Sequence, residues 1–179
     1  MFEIQVGTHV VQLSDEECYT PGSADNARSY DREHFAAGNE RQAVVGVRCA
    51  SQSAVLLSPG IRREVDERSV AYVRDSIFVA CGSFVFALSL PDLELRWFCS
   101  VDVASCFGLH LCGDEPFLIS HGEVDITRLT LEGRVVWSAC GRDIFTGAFE
   151  VRGDHIRAVD FNGDAYVVDL ATGEARIAG

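Results

Sequence analysis

From Val70 onwards the chain repeats a pattern with a period of about 40 residues, so each copy should form one supersecondary unit that stacks on its neighbours. Each copy begins with a turn aspartate and continues through a short apolar segment to a turn glycine. A tryptophan follows the glycine by 15 residues in the first two copies. The shared positions are Asp75, Asp114 and Asp154; Gly82, Gly122 and Gly163; and Trp97 and Trp137.

Polarity alternates with a period of two within each copy, which predicts strands rather than helices. In the middle copy the predicted strands are Cys106–Leu111, Pro116–Ser120, Val124–Leu129 and Arg134–Ser138. In the last copy, Asn162-Gly163 separates two alternating segments and suits a type I′ hairpin turn, because both residues tolerate positive φ. Four short antiparallel strands per repeat are typical of a β-propeller blade.

The first 60 residues are less regular, but they supply a fourth unit. Phe2–Val6 and His9–Leu13 flank Gly7 as one hairpin, and Ala43–Cys49 with Ala54–Leu57 forms a second pair. Residues 14–41 are polar and are interpreted as an insertion in the first blade. Within the insertion we expect a short helix over Asn26–Ala37, capped by Asp25 and ended by Gly38.

Three stretches resemble the repeat of pyrroloquinoline-quinone-like and WD-like β-propellers. The best copy is FNGDAYVVDLATGE, Phe161 to Glu174; looser copies that keep the tryptophan are CGSFVFALSLPDLELRW, Cys81 to Trp97, and HGEVDITRLTLEGRVVW, His121 to Trp137. The resemblance runs from Val70 to Gly179 and implies an architecture rather than an activity. No quinone or metal ligand is carried over, because no matching ligand motif occurs.

We therefore predict an all-β chain that forms a single domain over residues 1–179, a small propeller of about four four-stranded antiparallel blades. The eight-bladed propellers that are usual in the pyrroloquinoline-quinone-like family are much longer than this chain. Four blades can form either a closed ring in one chain or a half-propeller completed by dimerisation, so the chain is expected to be a monomer or a homodimer. Trp97 and Trp137 are expected to pack between neighbouring blades.

The candidate functional residues lie in predicted loops that should meet at one mouth of the central channel, where propellers usually bind ligands. His121 and Asp102 are the candidates for acid–base chemistry, since an imidazole beside a carboxylate is held in one tautomer. The candidate binding residues are Arg142, Asp143, Glu123 and Arg62, with Arg63 beside the last of them. The insertion should emerge from the same face as a lid or a partner-binding arm.

Two other constellations have simpler structural explanations. His110, Cys112 and Asp114 alternate along one strand in the manner of a metal site, but Asp114 already occupies the repeated turn position. Asp160, Asn162 and Asp164 resemble the start of a calcium loop without its twelfth-position glutamate, and a hairpin turn accounts for them. No metal site and no cofactor are expected.

The composition excludes several function classes. All 15 cationic residues are arginine, so Schiff-base chemistry, a P-loop lysine and a lysine general base are ruled out. A formal charge of −12 argues against a non-specific grip on nucleic acid. No apolar run reaches the ~18 residues of a membrane span. Seven cysteines without a CxxC pair or a secretory signal favour a reducing cytoplasm.

Two hypotheses of function remain. The first is a non-catalytic protein-interaction module whose loop face and 14–41 insertion bind a partner, and the acidity of the chain favours a basic one. The alternative is an enzyme or small-ligand sensor with a polar site at the channel mouth, built from His121, Asp102 and Arg142.

Overall fold

The computed structural model describes residues 1–36 and 42–178, and over these residues seventeen strands form four sheets that follow one another along the chain. The first sheet contains β1 (Phe2–Val6), β2 (His9–Asp15), β3 (Arg32–Phe35), β4 (Gln42–Cys49) and β5 (Gln52–Pro59). The second contains β6 (Val70–Val73), β7 (Ser76–Cys81), β8 (Phe84–Ser89) and β9 (Leu95–Ser100). The third contains β10 (Cys106–Cys112), β11 (Phe117–Gly122), β12 (Asp125–Leu129) and β13 (Val135–Cys140). The fourth contains β14 (Phe149–Arg152), β15 (His155–Val159), β16 (Ala165–Asp169) and β17 (Ala175–Ile177).

The second, third and fourth sheets are simple antiparallel meanders, with strand order equal to chain order. In the third sheet each of the four predicted strands is present, and its ends differ from the prediction by at most two residues. The agreement follows from the alternating pattern of strands such as β15, which permits only one register that buries the apolar face, and from the continuous apolar run of β7, which is buried on both faces. The prediction of an all-β chain with four blade-like units is confirmed.

The first sheet departs from this pattern, with strand order β1-β2-β4-β5-β3. The predicted helix over Asn26–Ala37 is wrong: its start is irregular, and Arg32–Phe35 forms β3, which pairs in parallel with Ala54–Leu57 of β5. Strand β5 is almost entirely buried, so its second edge needs hydrogen-bond partners, and β3 supplies them. The helix end predicted at Ala37 and Gly38 lies outside the described residues.

An apolar core lies at each junction between consecutive sheets. One cluster joins the first and second sheets around Leu13, Leu56 and Phe86. A second joins the second and third sheets around Phe78 and Leu118, and a third joins the third and fourth around Ile126 and Tyr166. Over residues 1–36 and 42–178, no apolar cluster joins the fourth sheet to the first. The sheets thus form the arc of a small or partial propeller.

The two tryptophans bridge consecutive sheets, as the sequence predicts. Trp97 of β9 donates from Nε1 to the carbonyl oxygen of Leu131 in the third sheet at 2.9 Å. Trp137 of β13 makes the same bond to Leu170 of the fourth sheet at 3.1 Å. Both rings therefore fill the gap between sheets while their one polar atom remains hydrogen-bonded.

Candidate functional site

Backbone hydrogen bonds join the loops at one end of the four sheets. Ile61 N donates to Ala104 O at 3.0 Å, Glu123 N to Ser105 O at 2.8 Å, Phe145 N to Glu123 O at 2.7 Å, and Phe161 N to Ile144 O at 2.8 Å. The loops 59–63, 101–105, 122–124, 141–147 and 160–164 consequently lie side by side on one surface, which we call the loop face. The seven residues that the sequence singled out all belong to this face or border it: His121, Asp102, Arg142, Asp143, Glu123, Arg62 and Arg63.

Asp102 is buried beneath the loop face, and four backbone N–H groups bind its carboxylate. Oδ1 accepts from Ala104 N at 2.6 Å and Ser105 N at 3.2 Å. Oδ2 accepts from Val124 N and Asp125 N, both at 2.8 Å. These four bonds occupy the carboxylate, so Asp102 ties two loops together.

His121 belongs to a row of aromatic side chains on β10, β11 and β14. Its ring stacks on Phe149 with centroids 4.0 Å apart and meets the edge of Phe107 at 5.4 Å. Phe149 in turn stacks on His110 at 4.9 Å, and the Arg63 guanidinium lies 4.2 Å from the Phe107 centroid. The described hydrogen bonds place His121 on a backbone carbonyl rather than on Asp102.

Burial keeps this imidazole neutral. Removal from water lowers the pKa of His121 to about 4, although its bond to Phe145 O, at 3.1 Å from Nε2, acts in the opposite direction. Burial also lowers the pKa of His110 below its ordinary value. A neutral, stacked imidazole that donates to a carbonyl acts as a packing residue, and the sequence motif did not reveal its aromatic partners.

The candidate binding residues occupy different surroundings. Asp143 accepts from Ile144 N at 2.8 Å and from Asn162 Nδ2 at 2.7 Å. Arg62 pairs with Asp15 at 3.0 Å and Glu17 at 3.4 Å, which links the loop face to the start of the insertion. Arg142 makes no ion pair within the described part of the chain, and Glu123 is half-buried. The structure therefore brings these residues to one face without assembling them into one pocket.

Three exposed apolar side chains on the loop face escaped the sequence-based predictions. Ile61 is 48% exposed, Val103 is 80% exposed and Phe161 is 71% exposed. The Ile61 and Val103 loops touch through the Ile61 N to Ala104 O bond, and Phe161 lies in the β15–β16 turn. Apolar residues within otherwise polar turns were the only signal that could have identified them.

The insertion lies on the outer face of the first sheet instead of projecting as an arm. Tyr19 and Tyr30 pack on Val44, Val55 and Leu57, whose side chains lie on that face of the sheet. Residues 16–31 form this covering segment, which we call the strap. The start of the insertion does lie beside the loop face, as expected, because Asp15 and Glu17 form ion pairs with Arg62 there.

A buried carboxylate anchors the strap. Glu16 accepts hydrogen bonds from Ser14 Oγ at 2.7 Å, Tyr30 Oη at 2.6 Å and Arg28 Nη1 at 2.5 Å. Burial by itself would raise the pKa of Glu16, but the bonds from these three residues outweigh it and hold the pKa below its ordinary value. Glu16 therefore remains ionised and bound to its three donors.

The resemblance to a calcium loop at residues 160–164 corresponds to a hairpin turn. Asp160 is buried and accepts from Asn162 N at 3.0 Å, Asp164 N at 2.9 Å and Tyr166 Oη at 3.1 Å. Among the residues that the structure describes, no three His, Cys, Asp or Glu side chains are grouped to hold a metal ion. All seven cysteines are unpaired. No helix in residues 1–36 or 42–178 has the length and apolar character to cross a membrane.

Comparisons with known proteins identify the fold. No protein family and no curated protein matches the sequence. The computationally designed protein Ika8 superposes with a TM-score of 0.56 at 11% identity, over 99% of this chain and 60% of Ika8. BamB from Moraxella catarrhalis gives a TM-score of 0.49 at 16% identity, over 98% of this chain and 59% of BamB. The WD40 β-propeller domain of Doa1 gives a TM-score of 0.47 at 12% identity, over 84% of this chain and 69% of the Doa1 chain.

The chain spans about 60% of the length of Ika8 and BamB. At these identities the likeness concerns the fold alone. Together with the four sheets, the likeness to Ika8 shows that the chain is a small or partial β-propeller, in agreement with the resemblance seen in its repeats.

Proposed function

We propose that the chain is a non-catalytic protein-interaction module that binds a protein partner through the loop face, with the strap contributing at its border. The observation that carries the proposal is the exposure of Ile61, Val103 and Phe161 among charged side chains. Large apolar groups surrounded by polar ones are typical of the centre of a protein interface.

Charge indicates the kind of partner. The chain carries a net charge of −12, and this total includes the carboxylates of Glu123 and Asp143 on the loop face. A basic protein surface would be attracted over a distance comparable with the Debye length, and its association would slow as salt increases. The seven unpaired thiols accord with a reducing cytoplasm as the place of action.

A catalytic or ligand-sensing use of the channel mouth has less support. The carboxylate of Asp102 accepts hydrogen bonds from four backbone N–H groups. The ring of His121 is stacked on Phe149 and hydrogen-bonded to a carbonyl oxygen. A general base needs a free acceptor within reach of a substrate proton. Neither residue offers one in this arrangement.

The proposal can be tested with matched surface variants. The loop-face variant combines Ile61→Ser, Val103→Ser and Phe161→Ser; the control carries Val135→Ser and Val136→Ser on β13, which are also exposed but lie on the outermost strand of the third sheet. Both variants should keep the melting temperature of the wild type. A partner recovered by affinity purification is then purified and its Kd is measured for all three proteins.

We expect the loop-face variant to bind at least about tenfold more weakly, because a few buried apolar anchors dominate such interfaces, while the control binds like the wild type. Equal affinity of the loop-face variant for every recovered partner would contradict the proposal. Failure to recover any partner at low or physiological salt would also count against it.

A further inference from the structure

A cleft of about 580 Å³ lies between the third and fourth sheets. It is bordered by the β10–β11, β14–β15 and β16–β17 turns, and hence lies at the opposite end of the sheets from the loop face. Its walls include the apolar side chains of Leu111, Phe117, Val151 and Leu170. A volume of this size is within the range of clefts that hold small molecules, about 300–1,000 Å³.

One charged residue in this cleft breaks the repeat pattern. Arg128 of β12 lies between Ile119 and Trp137 on the face that packs against the fourth sheet. The corresponding position in the second sheet is Ala87, between Phe78 and Trp97, and it is completely buried. An arginine therefore occupies an interior position that holds an apolar residue in the preceding copy.

The charge of Arg128 is not compensated by any carboxylate in the described part of the chain. Its Nη1 donates to Leu170 O at 2.7 Å, and its guanidinium lies 4.0 Å from the Phe117 centroid. Its Nε is buried without a hydrogen-bond partner. A guanidinium partly withdrawn from water without a counter-ion is unfavourable, and an anion in the cleft would relieve that cost.

The other polar groups of the cleft restrict the charge of the occupant. Burial raises the pKa of Cys112, more than the nearby Arg128 lowers it, so the thiol is neutral and supplies no counter-ion. Asp154 and Asp169 are exposed at the edge of the cleft and would repel a ligand with several negative charges. A single negative charge on an apolar body fits both the inner arginine and the acidic edge.

We propose that this cleft binds a small monocarboxylate with an apolar body, its carboxylate on the guanidinium of Arg128 and its body against Leu111, Phe117 and Val151. A carboxylate matches the planar donor geometry of arginine, and Phe117 supplies an aromatic surface beside it. This site is independent of the loop face and of any protein partner.

The test uses four monocarboxylates as probes: butyrate, hexanoate, 3-phenylpropionate and indole-3-acetate. Each is titrated into the full chain while backbone amide resonances are followed by NMR. The neutral amide of each acid is the matched ligand control. We expect at least one acid to shift the resonances of residues 110–113 and 169–171, and its amide to bind at least tenfold more weakly.

Arg128→Ala is the informative variant, because it restores the residue type of Ala87 and should fold at least as well as the wild type. It should bind the acid at least tenfold more weakly. Arg134→Ala, which removes an exposed arginine from the β12–β13 turn, should bind like the wild type. Three results would each overturn the proposal: no acid shifts these resonances, the amides bind equally well, or folded Arg128→Ala retains full affinity.

Discussion

The indole of Trp137 lies so close to Gly173 that a side-chain carbon at residue 173 would be 2.6 Å from Trp137 Cδ2. Gly173 also has a φ of 75°, a conformation that disfavours residues with a Cβ. The contact joins the third sheet to the fourth, beside the hydrogen bond from Trp137 to Leu170. The same arrangement recurs between Trp97 and Gly133 at the preceding junction.

Gly173→Ala should therefore destabilise the chain by about 2–4 kcal/mol, from left-handed backbone strain together with overpacking against the indole. Gly163→Ala is the control, because Gly163 has a φ of 89° but nothing within 4 Å of its would-be side chain. Gly163→Ala should lower the free energy of unfolding only through left-handed backbone strain, by about 1–2 kcal/mol. Urea unfolding of both variants measures the difference, and equal losses would show that the tryptophan contact is unimportant.

Asp102→Asn should destabilise the chain by about 1–3 kcal/mol, since an amide NH₂ group cannot accept from the N–H groups that now bind the second carboxylate oxygen. Asp114→Asn, at an exposed turn, is the matched control and should change stability by less than about 0.5 kcal/mol. Thermal and urea unfolding measure both changes. If Asp102→Asn were as stable as the control, Asp102 would not be the link between the loops.

The neutral state of His121 predicts a dependence of stability on pH. Its pKa is about 4 in the folded chain and 6.5 ordinarily, so the unfolded chain takes up the proton first as the pH falls. Stability is therefore lost between pH 6.5 and about pH 4, by at most about 3 kcal/mol from this residue. His110, whose pKa is also lowered by burial, adds to the loss in the same direction.

His121→Gln should show a weaker dependence than the wild type over that interval. Unfolding free energies of the two proteins at a series of pH values provide the comparison, and carboxylates common to both cancel in the difference. Parallel curves for the two proteins would mean that His121 titrates normally.

The outer faces of the first and fourth sheets, which end the arc, predict that the chain is a monomer. The strap covers the outer face of the first sheet, and the outer face of the fourth carries exposed charges at Glu150, Arg152, Arg157 and Arg176. Burying those charges against a second copy would be costly. Sedimentation at increasing concentration should give the monomer mass throughout, and a stable dimer would favour a ring shared by two chains.

Glu16→Ala offers a contrasting variant, since loss of its three hydrogen bonds should loosen the strap and expose Val44, Val55 and Leu57. We expect this variant to be less stable and to associate as its concentration rises. If Glu16→Ala remained monomeric and kept the strap bound to the first sheet, Glu16 would not be the anchor of the strap.

Local patterning was sufficient for most of the fold. Alternating residues such as those of His155–Val159 bury one face in only one register, and the recurring tryptophans marked the junctions. Two features depend on tertiary contacts that no local pattern encodes. Strand β3 forms because β5 needs a partner, and Leu93 adopts a φ of 55° at a turn where Gly133 and Gly173 occur in later copies.

The candidate site was only partly predictable for a similar reason. The loops were correctly assigned to one end of the sheets, because hairpin connectivity determines which turns share an end. The roles of Asp102 and His121 depend on backbone N–H groups and aromatic rings that are distant in sequence. Arg128, by contrast, could have been found by aligning the copies, where it falls on the position of Ala87.

The hydrogen bonds that connect one loop to the next give the loop face a shape that exists before any partner arrives. A surface of separate flexible loops would lose conformational entropy on binding, whereas this one has already lost most of it during folding. The protein partner proposed for this face should therefore meet a pre-organised surface, and loop-face substitutions should act mainly by speeding dissociation.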